Sequence, residues 1–220
     1  MPCSICQTRK EKRFCPAVHD RICAVCCGTE REVTLDCPSD CTYLQQARTH
    51  EKPRSSEELE AAGAELFRQV ELSQEFTYQH EPLIVGLCSG IVKVARADRQ
   101  VQDRDVIGAL TNLAHTYERM TRSGLEYEEA PAGVAQIALV NEIHRLLAEY
   151  RELEQRHLGY VKLRDADVLR ALVFLLRMAH TRTSGRPRSR AYLEFLGGMF
   201  PEKTSPIAAP GEAPSRIIIP

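Results

Sequence analysis

Eight of the nine cysteines in this 220-residue chain lie between Cys3 and Cys41, and the ninth, Cys88, stands alone. They run Cys3-x2-Cys6, Cys15, Cys23-x2-Cys26, Cys27 and Cys37-x3-Cys41. A segment this short cannot bury enough apolar surface to hold itself together, so it needs cross-links. In a reducing compartment clustered thiols serve as metal ligands rather than disulfides. Zinc takes four soft or borderline ligands in a tetrahedron, and a C-x2-C knuckle supplies two of them from one tight turn.

Eight thiolates fill two four-cysteine sites with none left over. Adjacent Cys26 and Cys27 point to opposite sides of an extended backbone and so serve different ions. The expected arrangement is interleaved, with Cys3, Cys6, Cys23 and Cys26 on one zinc ion and Cys15, Cys27, Cys37 and Cys41 on another. A rival arrangement replaces Cys27 by His19, four residues after Cys15. His50 is a weaker candidate. Metal binding contributes on the order of 10 kcal/mol or more per structural site, and that becomes folding energy. Each four-thiolate zinc centre carries a formal charge of about −2, since four thiolates outweigh one divalent ion. Arg9, Lys10, Lys12, Arg13, Arg21 and Arg31 lie close by in sequence to offset it. The same basic run also suits a phosphate.

This order of ligands resembles the cross-brace zinc fingers of the HIT, MYND and B-box kinds, which implies a module for protein contacts. The string Ile22-Cys-Ala-Val-Cys-Cys-Gly-Thr-Glu-Arg31, followed by Cys37-Pro-Ser-Asp-Cys-Thr-Tyr-Leu44, is also similar to uncharacterised bacterial proteins with a zinc head and a helical body. The Cys26-Cys27 doublet and the lack of a late His-x3-Cys pair depart from the named fingers. The resemblance covers about the first 45 residues and implies binding, with no activity to carry over.

The rest of the chain reads as helical. The expected fold class is mainly α: a small binuclear zinc finger, an all-α bundle of about six helices, and a disordered tail. The boundaries are 1–47 for the zinc module, 48–56 for a polar linker containing Pro53, 57–198 for the helical domain and 199–220 for a proline-rich tail. Ser55 or Ser56 caps a first helix carrying Leu59, Leu66, Val70 and Phe76 at helical intervals. Pro82 ends it or starts a second helix, with Leu83, Ile84, Leu87, Ile91 and Val94. Asp103 or Asp105 caps a third, with Val106, Leu110, Leu113 and Tyr117, and Gly124 is placed to stop it. A fourth runs from about Ala132 to Gln155 with Ile137, Val140, Ile143, Leu146, Leu147 and Tyr150 as its stripe. A fifth starts at Asp165 or Asp167 and carries Val168, Leu169, Leu172, Leu175 and Leu176. A sixth runs from Ser189 to Leu196 and ends at Gly197-Gly198. The run from Asp103 to Leu110 echoes Asp165 to Leu172, which reads either as two related hairpins or as two helices that independently use an Asp cap. The tail closes on Ile217-Ile-Ile219, which suits either a strand added to an edge or a tuck onto its own domain.

Net charge is −1, so no global field draws the molecule to nucleic acid or membrane. Trp is absent and aromatics make up 6%, which argues against a base-stacking platform. The polar N-terminus lacks an apolar secretory core and no stretch approaches the length that spans a bilayer, so a cytoplasmic location is expected. Pro2-Cys3-x2-Cys6 matches half of a zinc-deaminase signature, but no H-x-E precedes it. No phosphate-binding loop, dinucleotide fingerprint or H-E-x-x-H occurs. An all-thiolate zinc site offers no open position for water activation. Glu126, Glu128 and Glu129 read as a solvated loop, His144 and His180 sit on helices with no Cys or Asp at a catalytically useful sequence spacing, and Cys88 reads as core. The expectation is a non-enzymatic zinc protein acting as an interaction adaptor or regulator through an unidentified protein partner. One alternative is a nucleic-acid-associated protein using the arginine-rich loop with Arg182, Arg186, Arg188 and Arg190. A weaker one is a thiol-based redox or metal sensor.

Overall fold

The computed structural model describes residues 1–50, 66–67, 70–124 and 130–201. The expected tail segment Ile217–Ile219, the acidic cluster at Glu126, Glu128 and Glu129, Leu59 and most of the expected linker lie outside the described residues. A two-stranded antiparallel hairpin, β1 (Arg13–Cys15) and β2 (Asp20–Ile22), opens the fold. Two short helices follow, α1 (Ala24–Glu30) and α2 (Thr42–His50). The helical body comprises α3 (Gln74–Gln79), α4 (Glu81–Ala97), α5 (Asp103–Ser123), α6 (Val134–Leu158), α7 (Asp165–Arg182) and α8 (Ala191–Met199). The chain is mainly helical, as its periodicity predicts. Among the described residues no helix is long and apolar enough to cross a membrane.

Most helix boundaries follow elementary capping chemistry. Pro82 sits in the first turn of α4, where its missing N–H is not needed. Asp105, at the third position of α5, accepts from the Gln102 backbone N–H at 2.9 Å. Asp167 does the same for α7 toward Arg164, at 3.4 Å. Gly124 and Gly159 end α5 and α6 in the left-handed conformation, at φ 69° and 81°. The echoed Asp pairs therefore share one start geometry, and α5 and α7 form the most extensive helix interface among the described residues.

Four details depart from the sequence reading. Residues 48–50, read as the start of the linker, are the last turn of α2. The helical stretch expected to run unbroken to Pro82 is interrupted at residues 70–73. Arg177 on α7 donates to the Phe67 and Val70 carbonyls, and the Ser73 hydroxyl accepts from Phe76 N–H at 3.0 Å to start α3 afresh. On α6 the inward stripe is Leu139, Val140, Ile143 and Leu147, whereas Ile137 is exposed. Finally, α8 runs through Gly197-Gly198 to Met199 because Arg96 on α4 takes the carbonyls of Gly197 and Phe200.

The buried apolar side chains form two separate clusters. One fills the helical body and draws on every helix from α3 to α8, with Leu87, Ile91, Leu110, Leu172 and Leu175 fully buried. Cys88 belongs to it, and burial pushes its thiol up to about 11. The other lies in the first forty residues and consists of Ile22, Leu35 and the cysteines.

Candidate metal centre

A hairpin, one short helix and a loop bring the head cysteines together. Cys3 and Cys6 lie on the opening turn, where Gln7 N–H reaches back to Cys3 C=O at 2.8 Å. Ser4 N–H bonds to Arg21 C=O at 3.1 Å and Lys12 N–H to Ile22 C=O at 2.9 Å, so this turn is pinned to β2. Cys23 directly follows β2 and caps α1, its sulfur accepting from Cys26 N–H at 3.3 Å. Cys23 N–H in turn donates to the Cys3 sulfur at 3.1 Å. These amide–sulfur bonds are those a thiolate favours, because they place partial positive charge on a ligand that has lost its proton.

The sulfurs of Cys3, Cys6, Cys23 and Cys26 all lie within 4.8 Å of one another, and those of Cys6 and Cys23 are 4.0 Å apart. A tetrahedron with metal–sulfur bonds of about 2.3 Å has sulfur–sulfur edges of about 3.8 Å, so the four thiols stand close enough together to reach one such ion. All remain free thiols rather than disulfides. Cys3, Cys23 and Cys26 are buried and Cys6 is half-buried. This is the first ligand set expected from the sequence, and it can hold a metal ion. Among the described residues it is the group of metal-binding side chains drawn this close.

The thiols differ in acidity for reasons visible in their surroundings. The Thr8 hydroxyl and the backbone N–H groups of Thr8 and Arg9 bring Cys6 down to about 5. Burial and the crowding of Cys23, Cys6 and Cys3 push Cys26 up to about 12. Arg9 hydrogen-bonds Cys23, and the neighbouring thiolates raise the guanidinium pKa. One guanidinium therefore faces the cluster where negative charge would gather.

The second expected set is assembled less tightly. Cys15 ends β1, Cys27 lies with Cys26 on helix α1 rather than on the extended backbone expected from the sequence, Cys37 follows buried Leu35, and Cys41 precedes α2. All four line one small pocket of about 10 Å³, together with Phe14, Leu35, Tyr43 and Leu44. Arg13 lies over the Tyr43 ring at 4.4 Å and donates to the Cys27 sulfur at 3.5 Å. Burial, with Cys41 and Cys15 adding to it, pushes Cys37 up to about 11. His19, the rival to Cys27, sits exposed on the hairpin turn at φ 53° and does not line this pocket. His50 is exposed at the end of α2.

The arginine-rich loop is divided, with Arg186 and Arg190 turned inward and Arg182 and Arg188 exposed. Arg186 donates to Gly28 C=O at 3.0 Å and to Arg31 C=O at 2.6 Å, at the end of α1. Arg190 holds the carbonyls of Ala95, Arg99 and Val101, and burial lowers its pKa. Arg182 is exposed and lies over the Phe195 ring at 4.2 Å. The Arg188 side chain is exposed, while its backbone N–H donates to Glu32 C=O at 2.8 Å.

The residues that sequence reasoning missed are those that join head to body. Glu32 is 2% exposed and holds a left-handed backbone at φ 53°. Its carboxylate accepts from Arg48 at 2.7 Å and from the Ser184 hydroxyl at 3.0 Å. Arg48 also pairs with Glu194 on α8. An acidic residue after a short helix carries no sequence mark of such a role. Comparison with protein-family models, curated proteins and solved structures returns no match for this chain.

Proposed function

We propose that this chain is a non-enzymatic zinc protein whose head is an interaction module, serving as an adaptor or regulator for a protein partner. The observation that carries the reading is the close gathering of Cys3, Cys6, Cys23 and Cys26, each a soft ligand suited to zinc. A second zinc ion belongs with Cys15, Cys27, Cys37 and Cys41, whose common pocket is small enough for a single guest. With four protein sulfurs on each ion no position is left for water or substrate, so the metal acts as scaffold. The head carries Ile5, Phe14, Val18, Val25 and Val33 on its surface, each at least 38% exposed, which gives a small metal-rigidified fold apolar side chains to offer a partner. Arg186 and Arg190 are engaged on backbone carbonyls, and that engagement favours a protein partner over nucleic acid.

The test is affinity purification from native cells with nuclease and salt controls, comparing the intact chain with a Cys3→Ser/Cys6→Ser double variant. Protein partners that survive nuclease and moderate salt and disappear with the double variant support the reading. Capture that collapses on nuclease treatment, or that weakens steeply with salt, overturns it in favour of nucleic acid.

A further inference from the structure

The contacts between head and body are polar, and every head residue in them is close in sequence to a metal-ligand candidate. Gly28 directly follows Cys27, and Arg31 and Glu32 lie between Cys27 and Cys37. Arg48 sits on α2, which starts directly after Cys41. Among the described residues no apolar cluster bridges the two parts, since the head's cluster and that of the body are separate. An apolar interface tolerates a loosened partner. A set of hydrogen bonds does not, because each weakens steeply as distance and angle drift.

The body half of the contact is fixed independently. Ser189 donates its hydroxyl to Asp103 at 2.6 Å, and Asp103 N–H bonds to Ser189 C=O at 2.8 Å. The same carboxylate takes Tyr192 N–H and Leu193 N–H, each at 3.2 Å, so the loop is tied to the starts of α5 and α8 at once. Ser184 N–H reaches the Ser189 hydroxyl at 3.2 Å. Residues 184–189 thus form a preformed cradle. The head half is held by local bonds within its own turn, including the Thr34 hydroxyl on the Glu30 carboxylate at 2.7 Å. The turn from Glu30 to Leu35, which sets the backbone of Glu32, is held by Val33, Thr34 and Leu35 N–H groups on the Glu30 carbonyl and lies between ligand-bearing segments.

We propose that this cradle is a metal-conditional latch: the loaded head presents Glu32 and the end of α1 to residues 184–189, and the metal-free head lets go. The inference rests on the reading of the head as a metal-bound module. Metal sets the spacing between Cys27 and Cys37, which sets Glu32. The buried Glu32 carboxylate tolerates its site only while Arg48 and Ser184 are both in reach. By linkage, docking and metal occupancy favour each other. A cleft of about 620 Å³ lies between Ser39, Asp40 and Gln45 on the head and Arg96, Arg99 and Leu193 on the body, so release of the head would open it.

Residue-resolved amide exchange on the full chain tests this, with metal content measured on the same sample. The reporter is Arg188 N–H, which donates to Glu32 C=O. Chelation should accelerate its exchange by roughly tenfold or more, and added zinc should restore it, while Asp103, Tyr192 and Leu193 N–H stay protected. Arg186→Ala, made on the body side and away from the thiols, should retain metal in excess zinc and still expose Arg188 N–H. Unchanged Arg188 exchange in a sample that has demonstrably lost metal overturns the latch alone, as does loss of Asp103, Tyr192 and Leu193 protection along with it. Protein that carries no metal when purified without chelator overturns the metal reading and the latch together.

Discussion

Asp103 sits in the first turn of α5, yet its carboxylate serves another helix. It is 1% exposed, accepts the Ser189 hydroxyl, and caps α8 through Tyr192 and Leu193 N–H. Replacing it by alanine strands three buried donors, so Asp103→Ala should destabilise the fold by about 3 kcal/mol or more. Urea unfolding of the metal-loaded protein measures this, and a loss under 1 kcal/mol, about that of an ordinary exposed cap, would contradict the role. An Asp before an apolar run reads naturally as its own helix's cap, and the neighbouring Asp105 does behave that way. The sequence offers no mark by which the two could be told apart, because the choice is made by Ser189, far along the chain. The cysteines were legible for the opposite reason. Metal ligands of this kind come in close pairs, so their spacing is visible locally.

Helix α4 carries two glycines whose surroundings differ. A methyl group on Gly86 meets nothing within 4 Å, whereas one on Gly90 runs into Leu146 Cδ1 and lies 3.3 Å from Glu142 Cγ on α6. Gly86→Ala should therefore stabilise by about 0.5–1 kcal/mol through lost backbone freedom in the unfolded chain. Gly90→Ala should forgo that gain, because the Leu146 and Glu142 side chains must give way at the α4–α6 contact. Paired denaturation midpoints decide it, and equal shifts for both would contradict this packing. Helix identity was readable from the apolar intervals of α4, α5 and α7. The ends were less so wherever a distant arginine set them: Arg177 halts the helical turn before α3, and Arg96 carries α8 through two glycines. Side-chain donors that arrive from another helix leave no trace in the local pattern.

At the scale of the whole molecule, the head and the helical body each keep their own apolar cluster and meet through charge and hydrogen bonds. The first ligand set was legible in full, since two C-x2-C knuckles flanking a hairpin determine it nearly alone. The arginine-rich loop was legible as a binding element, but its occupants in this fold are the chain's own carbonyls at the end of α1 and between α4 and α5. That outcome depends on tertiary proximity, which composition does not encode. On the proposed reading, the head's stability and surface both depend on its thiols being ligands. The most direct measurement is metal-edge X-ray absorption on protein purified without chelator. A zinc edge with only sulfur neighbours, at about 2.3 Å, is the predicted result. Bound zinc with oxygen or nitrogen in its coordination shell, or no metal at all in a head that stays ordered, would contradict it.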